Sequence, residues 1–169
     1  KIKPVDGIKK FFMGNNYRPE WSSAMNMRIF NMRREKGGFR IDGLGGGNQT
    51  KSLRLINNRT NEEWVLRSVS KSPVQTIPEQ FRVSMIQEME TELQTSTFPF
   101  GAFIVPGLTD PLKLAAAEPE LFFIPDDPAL GFYRPLFANT VCILEKRNAT
   151  FDGTKALTTG LRLTTKRLL

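Results

Sequence analysis

A regular alternation of hydrophobic and polar residues marks two neighbouring segments in the first half of the chain. In residues 51–56, Leu53 and Leu55 alternate with polar side chains, which is the period of a half-buried strand. Residues 63–69 repeat this alternation, and the intervening residues 57–61 are rich in turn-forming asparagine. The pattern therefore predicts a β-hairpin.

A glycine-rich segment, residues 43–47, immediately precedes this hairpin. Glycine has no Cβ and tolerates positive φ, so such a loop lets backbone N–H groups approach a ligand closely. Together with a basic residue on the returning strand, the loop predicts a phosphate-binding end of the hairpin, although glycine-rich hairpins without a ligand are commoner. The candidate ligand-binding residues are Gly45, Gly46, Gly47, Asn48, Gln49, Thr50, Arg67, Lys71 and Glu88.

One long helix is predicted after the hairpin, over residues 78–95. Residues 76–79 have the T-x-x-E spacing of a capping box, and apolar residues then recur every four positions, which gives the helix one apolar face. Glu88, Glu90 and Glu92 lie along it. Such carboxylates usually face solvent, but Glu88 turned inward would bring an acidic group to the candidate site.

Short apolar runs bounded by turn residues predict further strands before and after the hairpin and the helix. They lie at residues 25–32, 39–42, 102–105, 121–124 and 140–144. Most connections are too short for crossover helices, so the sheet is expected to be mainly antiparallel. The predicted fold class is α+β, with one well-capped helix packed on the sheet.

The same patterns divide the chain into three regions. Residues 1–24 are predicted to be an irregular N-terminal arm, in which Tyr17 and Trp21 fix a loop onto the core. Residues 25–147 form the α+β domain, and residues 148–169 form a basic C-terminal tail that leads into a further segment.

The amino-acid composition limits which ligands and which kinds of catalytic or metal site are possible. The chain has 24 lysines and arginines against 17 acidic residues, a formal net charge of +7, which attracts phosphates, nucleic acid, anionic lipid or an acidic partner. Its basic residues are dispersed and form no polybasic tract. Histidine is absent, so histidine-dependent catalysis and histidine-containing zinc sites are excluded. The single cysteine, Cys142, lies in an apolar run and is expected to be a small buried hydrophobe.

Two adjacent carboxylates, Asp126 and Asp127, occupy a predicted loop. A calcium site needs several oxygen ligands, and no third carboxylate follows at loop spacing. The pair is therefore weak evidence for calcium, and no metal site is predicted.

Several motifs occur in a familiar order. They are NYRPEWS at 16–22, KGG at 36–38, GGGNQTKSLRL at 45–55, VLRSV at 65–69, IPDDPALG at 124–131 and LE at 144–145. Over roughly residues 14–147 they resemble a cell-envelope domain of Bacteroidota, which in many relatives lies between a calcineurin-like metallophosphoesterase domain and a BamA/TamA-like outer-membrane barrel. The resemblance implies a position on the periplasmic side of the outer membrane, with the barrel or other segments of the same polypeptide as partners. It supplies no function.

The glycine loop, hairpin and helix also resemble the small lobe of a protein kinase. In that family a lysine on the strand after the loop holds nucleotide phosphates, and a helix carboxylate orients it. Arg67 stands at the corresponding place, with Lys71 just beyond it, although arginine differs from lysine in reach and geometry. Glu88 would be the helix partner, and Glu145 would lie in the segment that contacts a base. This resemblance implies a nucleotide with magnesium, but the catalytic lobe is missing from this sequence.

Three functions therefore compete. The first is a non-catalytic cell-envelope module that binds a phosphate-bearing ligand at the glycine loop. The second is the small lobe of an atypical kinase-like phosphotransferase. The third is a basic module for nucleic acid or anionic lipid. Nucleic acid is disfavoured, because no aromatic residues interleave with basic ones on a strand and no helix-turn-helix pattern is present.

Overall fold

Six strands form one sheet in the computed structural model, which describes residues 7–45, 50–70, 92, 94–109, 111 and 116–147. The strands are β1 (Arg28–Ile29), β2 (Phe39–Leu44), β3 (Ser52–Asn57), β4 (Glu63–Ser68), β5 (Glu120–Ile124) and β6 (Thr140–Lys146). Their spatial order is β1-β5-β6-β4-β3-β2. Neighbouring strands run antiparallel, except that β1 runs parallel to β5.

Short helices accompany this sheet. They are α1 (Gly7–Met13), α2 (Arg18–Ser22), α3 (Gly101–Thr109) and α4 (Arg134–Phe137), with 3₁₀ turns at Glu35–Gly37 and Pro128–Tyr133. Asp127 begins the second turn, where its carboxylate accepts a hydrogen bond from the Ala129 N–H at 2.8 Å. Within the described part of the chain, every helix is too short or too polar to cross a membrane.

One face of the sheet carries the hydrophobic core. The fully buried side chains on its central strands are Leu53, Leu55, Leu66, Cys142 and Leu144. Phe30, Met32, Phe39, Phe122, Ile124, Leu130 and Phe137 complete the cluster from the outer strands and the segments that cover them. Burial of one such side chain contributes about 1.5–3 kcal/mol, so this face is the main source of the stability of the sheet.

The hairpin predicted from the alternation is confirmed. In the β3–β4 register Leu53 lies opposite Leu66, so both point into the core. The connecting turn is closed by Asn57, whose carboxamide oxygen accepts hydrogen bonds from the N–H groups of Arg59 and Thr60 at 2.9 and 3.0 Å. An asparagine side chain that binds the backbone two and three residues ahead forms an Asx turn, as the composition of this segment suggested.

The predicted α+β class is confirmed, but two of the strand predictions differ from the structure. Residues 102–105 are not a strand, because they lie within helix α3. A four-residue apolar run has no periodicity that distinguishes a buried strand from a helix. The strand predicted at residues 25–32 is shortened to β1, since the chain leaves the sheet at Phe30 and Met32 to cover its core.

The N-terminal arm contains the helices α1 and α2, where irregular structure was predicted. The indole N–H of Trp21 donates to the carbonyl oxygen of Thr97 at 2.9 Å, and the ring of Tyr17 meets that of Phe98 edge-on, with centroids 5.3 Å apart. These aromatics therefore hold α2 against residues 95–98. The predicted division of the chain into three regions stays a prediction.

The helix predicted over residues 78–95 lies almost entirely outside the described residues. Of its members, Glu92, Gln94 and Thr95 are described and are helical. Its capping box and its packing face stay predictions.

Candidate functional site

The candidate site lies at the end of the sheet where β2 ends, β3 begins and β4 ends, which we call the loop end. Here Gly45, which directly follows β2, forms one row with Ser52 on β3 and Arg67 on β4. The Gly45 N–H donates to the Ser52 carbonyl oxygen at 2.8 Å, and Ser52 lies opposite Arg67 in the β3–β4 register. Because opposed residues of an antiparallel pair share a face, the side chains of Ser52 and Arg67 project from the same face, opposite the core.

Gly45 fits this row because it has no side chain. A Cβ built there would overlap the hydroxyl oxygen of Ser52 and lie 3.1 Å from its Cβ. Two residues earlier, Gly43 has φ +150° beside a register shift in the β2–β3 ladder, which is the conformation of a β-bulge. The glycines therefore allow a bulge and a close approach of two backbones at this end, which are requirements of the fold as well as features of a ligand loop.

Hydrogen bonds from Ser68 fix the point where the chain enters β3. The Ser68 hydroxyl accepts from the Lys51 N–H at 3.1 Å and donates to the Ser70 carbonyl oxygen at 3.0 Å. The Ser68 N–H also donates to the Lys51 carbonyl oxygen at 2.8 Å. Thr50, a predicted ligand residue, precedes this point and is half-buried. The entry to β3 is thus held by β4, next to the row of Gly45, Ser52 and Arg67.

The two arginines of this face that lie nearest the loop end, Arg67 and Arg54, each have a carboxylate partner. The Arg67 guanidinium lies 3.8 Å from the Glu145 carboxylate on β6, and the Arg54 guanidinium lies 3.3 Å from the Asp42 carboxylate on β2. The Arg67 pair is long and its guanidinium is half-exposed, so that group can also reach an incoming anion. An arginine beside backbone N–H groups can bind phosphate through two parallel hydrogen bonds.

Six of the predicted site residues lie outside the described residues, namely Gly46, Gly47, Asn48, Gln49, Lys71 and Glu88. The described members of the prediction are Gly45, Thr50 and Arg67, and the sheet brings them to one end. Glu145, named from the kinase-lobe resemblance as lying in the base-contacting segment, has its carboxylate 3.8 Å from the Arg67 guanidinium. Its contact with a base stays a prediction. Ser52 was missed by the sequence reasoning, although its position opposite Arg67 follows from the hairpin register.

A neighbouring carboxylate of the predicted helix has a different partner from the one proposed for Glu88. Glu92 accepts a hydrogen bond from the Arg18 guanidinium at 2.6 Å, and both side chains are largely buried. This pair joins the helix end to α2. The carboxylate that turns inward within the described part of the chain therefore serves the N-terminal segment.

The remaining chemical candidates have structural roles. Asp126 pairs with Arg134, whose hydrogen bond lowers the pKa of the Asp126 carboxyl below its ordinary value, and Asp127 caps a turn. Among the described residues, no three acidic or cysteine side chains are grouped as a metal would require. Cys142 is buried, as predicted, and burial raises the pKa of its thiol to about 11, which keeps it protonated and unreactive at neutral pH.

Comparisons of the chain with family models, with curated proteins and with solved structures gave no match. The resemblance to the cell-envelope domain and the resemblance to a kinase small lobe therefore stay predictions.

Proposed function

We propose that this chain is a non-catalytic module of a cell-envelope protein and that its loop end binds a phosphate-bearing ligand. The observation that carries the proposal is the row of Gly45, Ser52 and Arg67, which brings a glycine backbone, a hydroxyl and a guanidinium together on one face of three adjacent strands. The Arg67 guanidinium and the Ser52 hydroxyl can donate hydrogen bonds to phosphate oxygens, and the Gly45 N–H, which donates to the Ser52 carbonyl oxygen, holds the row together.

The electrostatics of this end favour a ligand that competes with Glu145. An exposed ion pair at 3.8 Å is weak, since such pairs contribute about 0–1 kcal/mol. A bidentate hydrogen bond to phosphate is stronger, at roughly twice the energy of a neutral hydrogen bond. Arg67 can therefore exchange its carboxylate partner for a phosphate at little cost. Arg54 lies two residues further from the loop and has a closer pair, so it provides a matched comparison.

The test is a titration of the purified chain with inorganic pyrophosphate and with ATP, followed by calorimetry. We expect Arg67→Ala to weaken binding about tenfold or more, because a charge-assisted contact of about 1.5–3 kcal/mol is lost. Arg54→Ala, which removes the same charge from the same face, should change affinity less than about threefold. Equal losses in both variants, or no binding by the unaltered chain, would overturn the proposal.

The kinase-like alternative predicts a different ligand dependence. A nucleotide site of that kind binds ATP together with magnesium, so a thermal shift with ATP should appear only when the metal is present. Binding of pyrophosphate and ATP alike without magnesium favours the non-catalytic module. A shift that requires both ATP and magnesium, and that is lost in Arg67→Ala, favours the kinase-like small lobe.

The cellular setting is part of the same proposal. The motifs between residues 16 and 145 support a position on the periplasmic side of the outer membrane, with an outer-membrane barrel or other segments of the same polypeptide as partner. Co-purification with a barrel protein from detergent extracts of the source cells is the expected result. Consistent recovery without any barrel protein would contradict the envelope assignment and leave the ligand test unaffected.

A further inference from the structure

Four arginines that have no carboxylate partner among the described residues lie at the opposite end of the sheet, where β2 begins, β3 ends and β4 begins. We call this the turn end. They are Arg33, Arg34, Arg40 and Arg59, and all four are exposed. They are separated by up to 26 positions in the sequence. Their proximity arises from the way two turns pack on each other.

The first turn carries Arg33 and Arg34. The Asn31 carboxamide oxygen accepts hydrogen bonds from the N–H groups of both arginines, at 3.1 Å each, and this fixes the backbone from which they project. The chain then passes through Gly37 and Gly38, at φ +95° and +91°, into β2. A Cβ on Gly38 would lie 2.8 Å from the Arg33 carbonyl oxygen, so glycine is required for this close approach.

The β3–β4 turn packs directly against the first turn and carries Arg59. The Asn57 carboxamide nitrogen donates to the Lys36 carbonyl oxygen at 3.0 Å, and the Asn58 N–H donates to the Gly38 carbonyl oxygen at 3.0 Å. The stem of Arg59 lies over Gly37, where a Cβ would overlap it. These contacts join the two turns into one surface.

Arg40 extends that surface along the start of β2. Its guanidinium donates to the Asn61 carboxamide oxygen at 2.7 Å, and Asn61 belongs to the same turn as Arg59. Asparagine is neutral, so this bond orients the guanidinium without cancelling its charge.

The carboxylates around the turn end are engaged by other cations. Glu35 pairs with Arg28, Glu62 pairs with Lys146, and Glu63 pairs with Arg147. Within the part of the chain that the structure describes, the four clustered arginines form no ion pair. The positive charge of these four arginines is therefore left uncompensated within the described part of the chain.

We propose that the turn end is a docking surface for the phosphate headgroups of an anionic lipid membrane. The guanidinium groups project from separate turns and strands, which suits a surface of independent phosphates that need no fixed register. Nucleic acid fits less well, because the aromatic rings of this end are not available for stacking. Phe39 is buried, and the ring of Trp64 is covered by the Lys36 ammonium group at 5.2 Å. This inference does not depend on the loop end having a ligand.

The experiment measures sedimentation of the chain with phosphatidylcholine vesicles in which about a third of the lipid is replaced by phosphatidylglycerol. We expect binding that falls steeply with added salt and is absent on pure phosphatidylcholine. Replacing all four clustered arginines by glutamine should lower the partition coefficient about 100-fold or more. The single change Arg34→Gln, which leaves both packed turns intact, should lower it roughly fivefold.

A control variant with the same net charge separates local from overall electrostatics. It replaces two carboxylate-paired arginines that lie away from the turn end by glutamine, namely Arg54 and Arg134, and it is compared with the double variant in which Arg33 and Arg34 are glutamine. We expect the control to bind vesicles within about threefold of the unaltered chain, because neither of its changes alters the charges of the turn end. Equal losses in the two double variants would overturn the proposal, as would stronger binding to duplex or single-stranded DNA than to the anionic vesicles at equal salt.

A second variant shows whether a loss of binding results from a loss of the folded structure. Replacing the four clustered arginines by lysine keeps every charge while changing geometry, and a membrane surface should still bind it within about tenfold. Loss of vesicle binding in a lysine variant that keeps the unfolding midpoint of the unaltered chain would contradict a headgroup surface.

Discussion

The two ends of the sheet hold positive charge in different ways. At the loop end, Arg54 and Arg67 each lie near a carboxylate on an adjacent strand. At the turn end, Arg33, Arg34 and Arg59 have no carboxylate partner among the described residues. The loop end is thus built for a specific anion that displaces an existing partner. The turn end presents positive charges that no described carboxylate compensates, and it suits a ligand surface that carries many anionic groups.

The difference shows that net charge alone is a poor guide to the location of a site. The sequence has an excess of seven positive charges, spread along its length. Folding pairs some of these charges across β-strands and leaves others free, because the pairing depends on which strands become neighbours. A site for an anion should be sought where folding leaves cations uncompensated, or where their partners are weakly held.

The largest expected effect concerns the residue that holds the turn end together. Asn57 is 2% exposed, and its side chain makes three hydrogen bonds that close one turn and fasten it to the other. We expect Asn57→Ala to lower the free energy of unfolding by roughly 2–3 kcal/mol, at about 1 kcal/mol for each lost bond. Urea denaturation monitored by tryptophan fluorescence measures this change.

Asn58→Ala provides the matched control at the next position. Asn58 is exposed, and its described hydrogen bond is made by its backbone N–H, which the substitution retains. We expect it to change stability by less than about 0.5 kcal/mol. If the two alanine variants unfold at the same urea concentration, the side chain of Asn57 does not hold the two turns together.

A smaller effect is expected from crowding the loop end. Gly45→Ala places a methyl group against the Ser52 hydroxyl, and Ser52 is 7% exposed, so its side chain has little room to rotate away. We expect a loss of about 1–2 kcal/mol, as for other overpacked sites. Thermal unfolding followed by circular dichroism measures it.

A double-mutant cycle with Ser52→Ala identifies the cause. Removing the hydroxyl oxygen makes room for the new methyl group, so the double variant should be more stable than the sum of the single changes predicts, by roughly 0.5–1 kcal/mol. Simple additivity would show that the cost of Gly45→Ala arises elsewhere, for example in the bulge at Gly43.

The local elements of the fold follow from the sequence where the pattern is regular. The alternation in residues 51–56 and 63–69 predicts β3, β4 and the hairpin that joins them. The proximity of Gly45 to Arg67 further requires the pairing of β2 with β3. Helix α3 could not be predicted in this way. Its apolar run is as compatible with a strand as with a helix, and the surrounding glycines and prolines do not decide between them.

Contacts between distant segments could not be predicted from the sequence, for a different reason. The pairing of Arg67 with Glu145 requires that β6 lies beside β4, and no local pattern indicates this strand order. The arginines of the turn end were visible only as the pair Arg33-Arg34, because Arg59 joins them through turn-to-turn packing. Strand order and turn packing are properties of the whole sheet, set by the fit of its core and not by local periodicity.

The smallest expected effect is a loss of stability at alkaline pH that arises near the loop end and not at the turn end. Cys142 lies on the core face, opposite Ser68 near the loop end, and burial raises the pKa of its thiol from 9.0 to about 11. The thiol of the unfolded chain therefore ionises first as the pH rises. The contribution of the buried, protonated thiol to the free energy of unfolding is therefore fully present below pH 9 and is lost as the pH rises through 11. Asn57, which holds the turn end, is neutral at every pH.

We expect the unaltered chain to lose on the order of 1 kcal/mol of stability between pH 8 and pH 10 through this one group. Urea denaturation at both pH values measures the loss, and Cys142→Ala should remove this part of it, even if the smaller side chain lowers stability at every pH. The substitution changes no other ionisable group, so the difference between the two pH dependences isolates the thiol. Identical slopes would mean that the Cys142 thiol ionises as readily in the folded chain as in the unfolded one, and that solvent reaches the core beneath the loop end.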